Sequence, residues 1–244
     1  MNSFLTGLNP LFQAFLAGLF TFFITSLGSA IVLFFKNINK SLLNTMLSLS
    51  AGIMISASFF SLLNPAIELC PSWYIISISF ISGGILLSIC DKLLSKITSD
   101  TSNLMLFISI TLHNIPEGLV LGVAYGSGNI AAAISLTLGI GIQNFPEGAA
   151  ISLPLRGNNS SRLKAFIFGS LSAIVEPIFA VIGALLVLKI QTILPIIMTL
   201  TAGAMIFVTV LELIPNALND KRKDLMALSV MIGFIIMMIL ELVL

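Results

Sequence analysis

Charge is what this sequence has least of. Only 9% of its 244 residues are Asp, Glu, Lys or Arg, while 57% are hydrophobic and the mean hydropathy is +1.12. An average soluble domain carries about 25% charged residues. So few charges cannot cover a water-facing surface, which excludes a soluble globular domain, and so apolar a chain is not a disordered one. Nor does either sign dominate: 11 Lys and Arg stand against 10 Asp and Glu, so no basic field points to nucleic acid. Cysteine is nearly absent. Cys70 and Cys90 form no C-x-x-C pair, which excludes a disulfide framework and a thiolate metal site. The N-terminus, MNSFLTGLNP, has no Lys or Arg ahead of its apolar stretch. A cleaved signal peptide normally begins with positive charge, so Met1 onward is expected to be retained. What remains is an all-α polytopic membrane protein in contact with the lipid bilayer.

A helix needs about 20 apolar residues to cross a bilayer. Eight segments meet that length: Pro10 to Phe35, Leu42 to Leu63, Trp73 to Cys90, Asn103 to Gly126, Ile130 to Leu155, Ala165 to Leu188, Thr192 to Ala217 and Leu225 to Leu244. The connections are short, so residues 1–244 read as one transmembrane domain with no soluble insertion. Lys36, Lys40, Lys92, Lys96, Arg156, Arg162, Lys164, Lys221, Arg222 and Lys223 all fall in loops on one side of an eight-span chain; only Lys189 falls on the other. Positive charge marks the cytoplasmic side. Those loops are therefore expected to face the cytoplasm, with both termini outside.

Two internal echoes follow. Ala51-Gly52-Ile53-Met54-Ile55 in span two resembles Ala202-Gly203-Ala204-Met205-Ile206 in span seven, each followed by a proline, Pro65 or Pro215. His113-Asn114-Ile115-Pro116-Glu117-Gly118 in span four is echoed by Gln143-Asn144-Phe145-Pro146-Glu147-Gly148 in span five. Both pairs lie an odd number of spans apart and so cross in opposite directions. Inverted repeats with a site at their interface are a recurring transporter plan.

Apart from Glu241 near the end of span eight, four carboxylates fall within spans: Glu117, Glu147, Glu176 and Glu212. Insertion scales charge about 2.5–3.5 kcal/mol for an acid at the bilayer centre, so the first three cost roughly 8–10 kcal/mol if left unpaired. No Lys or Arg lies between Asn103 and Leu155 or between Ala165 and Leu188 to neutralise them. Their partners must be protons, bound cations or polar neighbours. On a helix, positions i, i+1 and i+4 share a face. His113, Asn114 and Glu117 are therefore grouped, as are Gln143, Asn144 and Glu147, with Glu176 available as a third carboxylate. This nitrogen and oxygen donor set without thiolate suits Zn²⁺, Fe²⁺, Mn²⁺ or Cd²⁺. Pro116 and Pro146 each remove a backbone N–H and free a carbonyl, at Leu112 and Ile142, of a kind tolerated where it lines a polar cavity. Gly118 and Gly148 permit close helix approach. Pro177 beside Glu176 predicts a bend in span six. Glu212 reads equally as interfacial or metal-handling, and Glu241 as interfacial.

On these motifs the chain resembles the ZIP (Zrt/Irt-like protein) family of divalent-metal transporters, closest to its bacterial GufA-like branch. HNIPEG at 113–118 is similar to the family's fourth-helix signature, QNFPEG at 143–148 to its fifth, Glu176 in V-E-P to its sixth-helix carboxylate, and Met54 to a second-helix methionine. The resemblance implies eight helices in a 3+2+3 arrangement with inverted repeats. It also implies two adjacent metal positions. One would use His113, Glu117, Gln143 and Glu147; the other Asn114, Glu117, Asn144, Glu147, Glu176 and Met54. The function implied is movement of divalent metal, Zn²⁺ foremost, into the cytoplasm by alternating access, with no cofactor beyond the transported metal. Three features depart from the family pattern. Asn144 stands where relatives can carry Asp, the 91–102 loop has no histidine, and Leu211 precedes Glu212 where relatives often have His. A metal-selective channel uses the same ligands and is not separated from a carrier by sequence. An intramembrane hydrolase is disfavoured: there is no H-E-x-x-H, no intramembrane Asp pair and no nucleophile turn. Oligomeric state, including a homodimer, stays open, because Gly118 and Gly122 could pack within the bundle or between protomers.

Overall fold

A computed structural model describes residues 7–35, 39–97, 102–157, 160–189, 191–218 and 221–243; for 91, 94–97, 102–110, 112, 113, 157, 191, 216 and 217 it describes the backbone alone. Lys36 and Asp220 lie outside these residues, as does the side chain of Lys96. The described chain is helical, without a strand. Eight long helical runs follow one another: α1 (Pro10–Phe34), α2 (Lys40–Leu69), α3 (Trp73–Ile97), α4 (Ser102–Ser127), α5 (Ile130–Gly157), α6 (Arg162–Lys189), α7 (194–218) and α8 (Lys223–Val243). Among the described residues, α1, α2, α3, α6, α7 and α8 are long and apolar enough to cross a membrane. At 26 and 28 residues, α4 and α5 are also long enough to cross one.

Side chains fix several helix starts by accepting an otherwise orphaned N–H. Asn9 accepts from Leu11 at the head of α1, Asn39 from Ser41 at the head of α2, Asn129 from Ala132 at the head of α5 and Ser161 from Lys164 at the head of α6. Gly128 closes α4 at φ +86°, a left-handed conformation that favours glycine.

Two helices run further than their apolar segments predict, and α7 ends one residue past its own. α3 continues from Cys90 to Ile97 and carries Lys92 on its last turns. α2 continues from Leu63 to Leu69, and α7 reaches Leu218, each through a wide π-helical stretch: Ser58–Leu63 in α2 and Thr209–Leu213 in α7. The cause is Pro65 and Pro215. A proline clashes with the carbonyl four residues back, and the wider π turn makes room for it. Both stretches begin seven residues after the alanine of the Ala-Gly-x-Met-Ile echo, at Ser58 after Ala51 and at Thr209 after Ala202. In both, the first hydroxyl donates to the carbonyl of that echo's methionine: Ser58 Oγ to Met54 O at 2.7 Å and Thr209 Oγ1 to Met205 O at 2.8 Å. A single turn of 3₁₀ helix at Ser172–Ile174 tightens α6 just before Glu176, where the sequence predicts a bend.

The helices associate most closely in two groups. α1, α4, α5 and α6 pack on one another, chiefly as α4 on α6 and α1 on α5 and α6. α2 packs on α8, and α3 on α7. Glycines explain the intimacy, because a helix without Cβ can lie against its neighbour's backbone. In the first group Gly28 faces the Phe145 carbonyl, Gly148 the Thr25 carbonyl and Gly122 the Ala180 carbonyl. In the second, Gly52 faces the Val230 carbonyl, Gly233 the Leu49 carbonyl and Gly203 the Phe80 carbonyl. Gly118 and Gly122 both press on α6, so this pair is used inside the bundle. Across the seam between the groups, Gly139 of α5 meets the flexible Met237 side chain of α8 and no backbone.

Candidate metal centre

The paired motifs lie midway along α4 and α5, which run unbroken through Pro116 and Pro146. One turn places Asn114 and Glu117 together on α4, and another places Gln143, Asn144 and Glu147 together on α5. The first turn of α6 beyond its 3₁₀ segment adds Glu176. All six side chains are buried; Glu117 and Glu176 are 0% exposed and Glu147 8%. They are tied in mixed amide–carboxylate pairs. Gln143 Nε2 donates to Glu117 Oε1 at 2.6 Å. Asn144 Nδ2 donates to Glu176 Oε1 at 3.0 Å and to Oε2 at 3.1 Å. The Thr21 hydroxyl of α1 also faces Glu176. Ser50 of α2 donates to the Gln143 carbonyl at 3.1 Å, linking this cluster to the second helix group.

Polar capacity is left over. Glu117 Oε2, Glu147 Oε1, Gln143 Oε1, Asn144 Oδ1 and Asn114 Nδ2 are buried without a hydrogen-bond partner. An unsatisfied buried polar atom costs about 1–3 kcal/mol, so five in one cluster ask for an occupant. Four of the five are oxygens, and the three glutamates lie near enough to repel one another. A cation would answer both demands.

The grouping differs from a preassembled carboxylate cage. Among the described residues, no set of three or more His, Cys, Asp or Glu side chains is disposed to hold a metal ion. The amides of Gln143 and Asn144 occupy one oxygen of Glu117 and both of Glu176, and leave Glu117 Oε2 and Glu147 Oε1 open. A metal held by Glu176 needs that carboxylate to turn away from the Asn144 amide. His113 lies on α4 four residues before Glu117, but its side chain is outside the described residues. Met54 is buried on α2, and its sulfur lies 3.7 Å from Thr209 Oγ1 of α7. That contact engages Met54 with α7. Sequence reasoning did not single out Ser50, Thr21 or Thr209; small hydroxyls in apolar helices give no signal until their partners are known. Glu212 is half-buried within the π stretch of α7, and Asp224 is exposed at the start of α8.

Comparison with known proteins decides the lineage. Residues 96–241 match the family model described as ZIP zinc transporter. The chain belongs to the ZIP family. Its relatives include Zinc transporter ZupT of Streptococcus mutans, 30% identical over 93% of this chain and 96% of the relative. Zinc transporter GufA of Myxococcus xanthus is 29% identical over 89% and 93%. Zinc transporter ZIP11 of Homo sapiens is 29% identical over 97% and 98%. The ZIP motifs that carry the resemblance in sequence, HNIPEG and QNFPEG, are those that bring the buried carboxylates and amides together here. All three relatives are named as transporters, none as an enzyme.

Proposed function

We propose that this ZIP protein carries divalent transition metal, Zn²⁺ foremost, across the cytoplasmic membrane into the cell, through the cluster on α4, α5 and α6. The carrying observation is that cluster: three buried glutamates with no Lys or Arg in the surrounding spans, and four buried oxygens without partners. In our reading His113, Glu117, Gln143 and Glu147 hold one metal. Asn114, Asn144 and Glu176 hold a second with the two shared glutamates, and Met54 adjoins it. Fe²⁺, Mn²⁺ and Cd²⁺ suit the same donors.

Alternating access is supported by the distribution of glycine contacts. Backbone-to-backbone approaches stay within each helix group, and the one glycine at the seam meets a methionine side chain. Such a seam can slide without breaking glycine-mediated backbone contacts, at the cost of the Ser50–Gln143 hydrogen bond and the packing of α2 on α5. The metal cluster rides on one group, so displacement of that group past the other would carry the site from one membrane face to the other. The matching π stretches of α2 and α7 support the reading of helices one to three and six to eight as inverted repeats around the α4–α5 pair. The basic loops support placing both termini outside.

The test is metal uptake by purified protein in proteoliposomes. Saturable Zn²⁺ influx, competed by Cd²⁺, Fe²⁺ or Mn²⁺, is expected. Influx that rises linearly with Zn²⁺ without saturating favours the channel instead, and no influx of any of these metals by inserted protein removes the transport reading.

A further inference from the structure

Opposite the basic loops, at the end where α4 turns into α5, lies a cavity of about 130 Å³ that the functional reading leaves unused. It is lined by Ser61 of α2, Ser127 of α4, Leu136 of α5, Met198 of α7 and Glu241 of α8, with further backbone and apolar atoms. It has room for roughly four waters. Glu241 is half-buried in it, and Ser61 Oγ donates to Glu241 Oε2 at 3.1 Å. No Lys or Arg lines the cavity. Asn129 belongs to the wall, but its side-chain oxygen is taken by the head of α5. The side-chain oxygens left to a cation are therefore one carboxylate and the lone pairs of two hydroxyls, of which Ser127 donates its proton to the Ala124 carbonyl at 2.8 Å.

The position of this cavity ties it to the buried cluster. Seven residues make nearly two helical turns and return a side chain to the same face about 10 Å along the axis. Ala124 of the lining lies seven residues beyond Glu117 on α4, and Leu136 seven before Gln143 on α5. These two helices thus place the cavity two turns above the faces that carry Glu117 and Gln143. Between the two, Leu62, Val123 and Leu136 are each 1% exposed and form an apolar floor.

We propose that Glu241, with the Ser61 and Ser127 hydroxyls, forms an outer capture site that holds a partly hydrated divalent cation above this apolar floor before it reaches the buried glutamates. The inference rests on the transport reading for its role, but the site itself is testable without transport. An all-oxygen set with one carboxylate binds weakly and discriminates little between hard and borderline cations, which suits a site that must release its ion inward.

Two measurements test it. In proteoliposomes, Glu241→Gln keeps the shape and the Ser61 partner but removes the charge. It should raise the KM for Zn²⁺ about fivefold and leave the maximal rate near wild type; an unchanged KM overturns the proposal. Binding is read separately by Mn²⁺ electron paramagnetic resonance on detergent-purified Glu117→Gln/Glu147→Gln protein, in which the buried cluster is disabled. One weak Mn²⁺ should remain bound and be lost on adding Glu241→Gln. No bound Mn²⁺ in the double variant, or binding indifferent to Glu241, overturns the capture site. Absence of influx by wild-type protein would sink the transport reading while leaving this binding result to stand or fall alone.

Discussion

Asn144 shows most directly how a single side chain sets the character of the buried cluster. Its amide donates to both oxygens of Glu176 and so holds that carboxylate without a metal. An aspartate there has no N–H to offer and would place a second carboxylate against the first. Asn144→Asp is therefore expected to lower the thermal stability of the metal-free protein by several degrees, to recover it on adding Zn²⁺, and to tighten Zn²⁺ binding. Melting curves with and without the metal check this, and equal stability of the two proteins without metal would contradict it. Much at this scale was legible in the sequence, because an acid in an apolar span is conspicuous and H/Q-N-x-P-E-G repeats it. The pairing of amide with carboxylate was not legible, since helical spacing fixes which side chains share a face but not which of them hydrogen-bond across helices. Met54 illustrates the gap: its sulfur meets Thr209 of α7, a contact that no local pattern announces.

At the scale of the element, glycine and proline decide what each helix can do. An added Cβ at Gly28 would meet the Phe145 carbonyl, and one at Gly148 the Thr25 carbonyl. Neither backbone can yield without parting α1 from α5. At Gly139 the obstacle is the end of Met237, which can rotate away. Gly28→Ala should therefore cost about 1–3 kcal/mol or more and sharply reduce the yield of monodisperse protein on gel filtration. Gly139→Ala should fold. Similar yields for the two would contradict the division into two tightly packed groups joined by a softer seam. Helix number and the position of the motifs followed from hydropathy. The end of α2 did not, because a proline in an apolar run reads as a stop. The π turn at Ser58–Leu63 absorbs Pro65 instead, as the one at Thr209–Leu213 absorbs Pro215 in α7.

At the scale of the whole molecule, the scarcity of charge that excludes a water-facing surface also explains the chemistry. Three like charges side by side in a low dielectric persist only with a counter-charge, and among protons and cations both compete for the same oxygens. Zn²⁺ influx is accordingly expected to slow as external pH is lowered from about 7.5 to about 5.5, measured at sub-saturating Zn²⁺; a flat profile would contradict competition at the carboxylates. The central claim is that the cluster on α4, α5 and α6 is the metal's path. Zn²⁺ influx into proteoliposomes, measured side by side for wild type and Glu147→Ala at matched insertion, tests it most directly. Saturable influx for wild type that is lost in Glu147→Ala is the predicted result. Equal influx through both proteins would contradict the account and place the path elsewhere in the molecule.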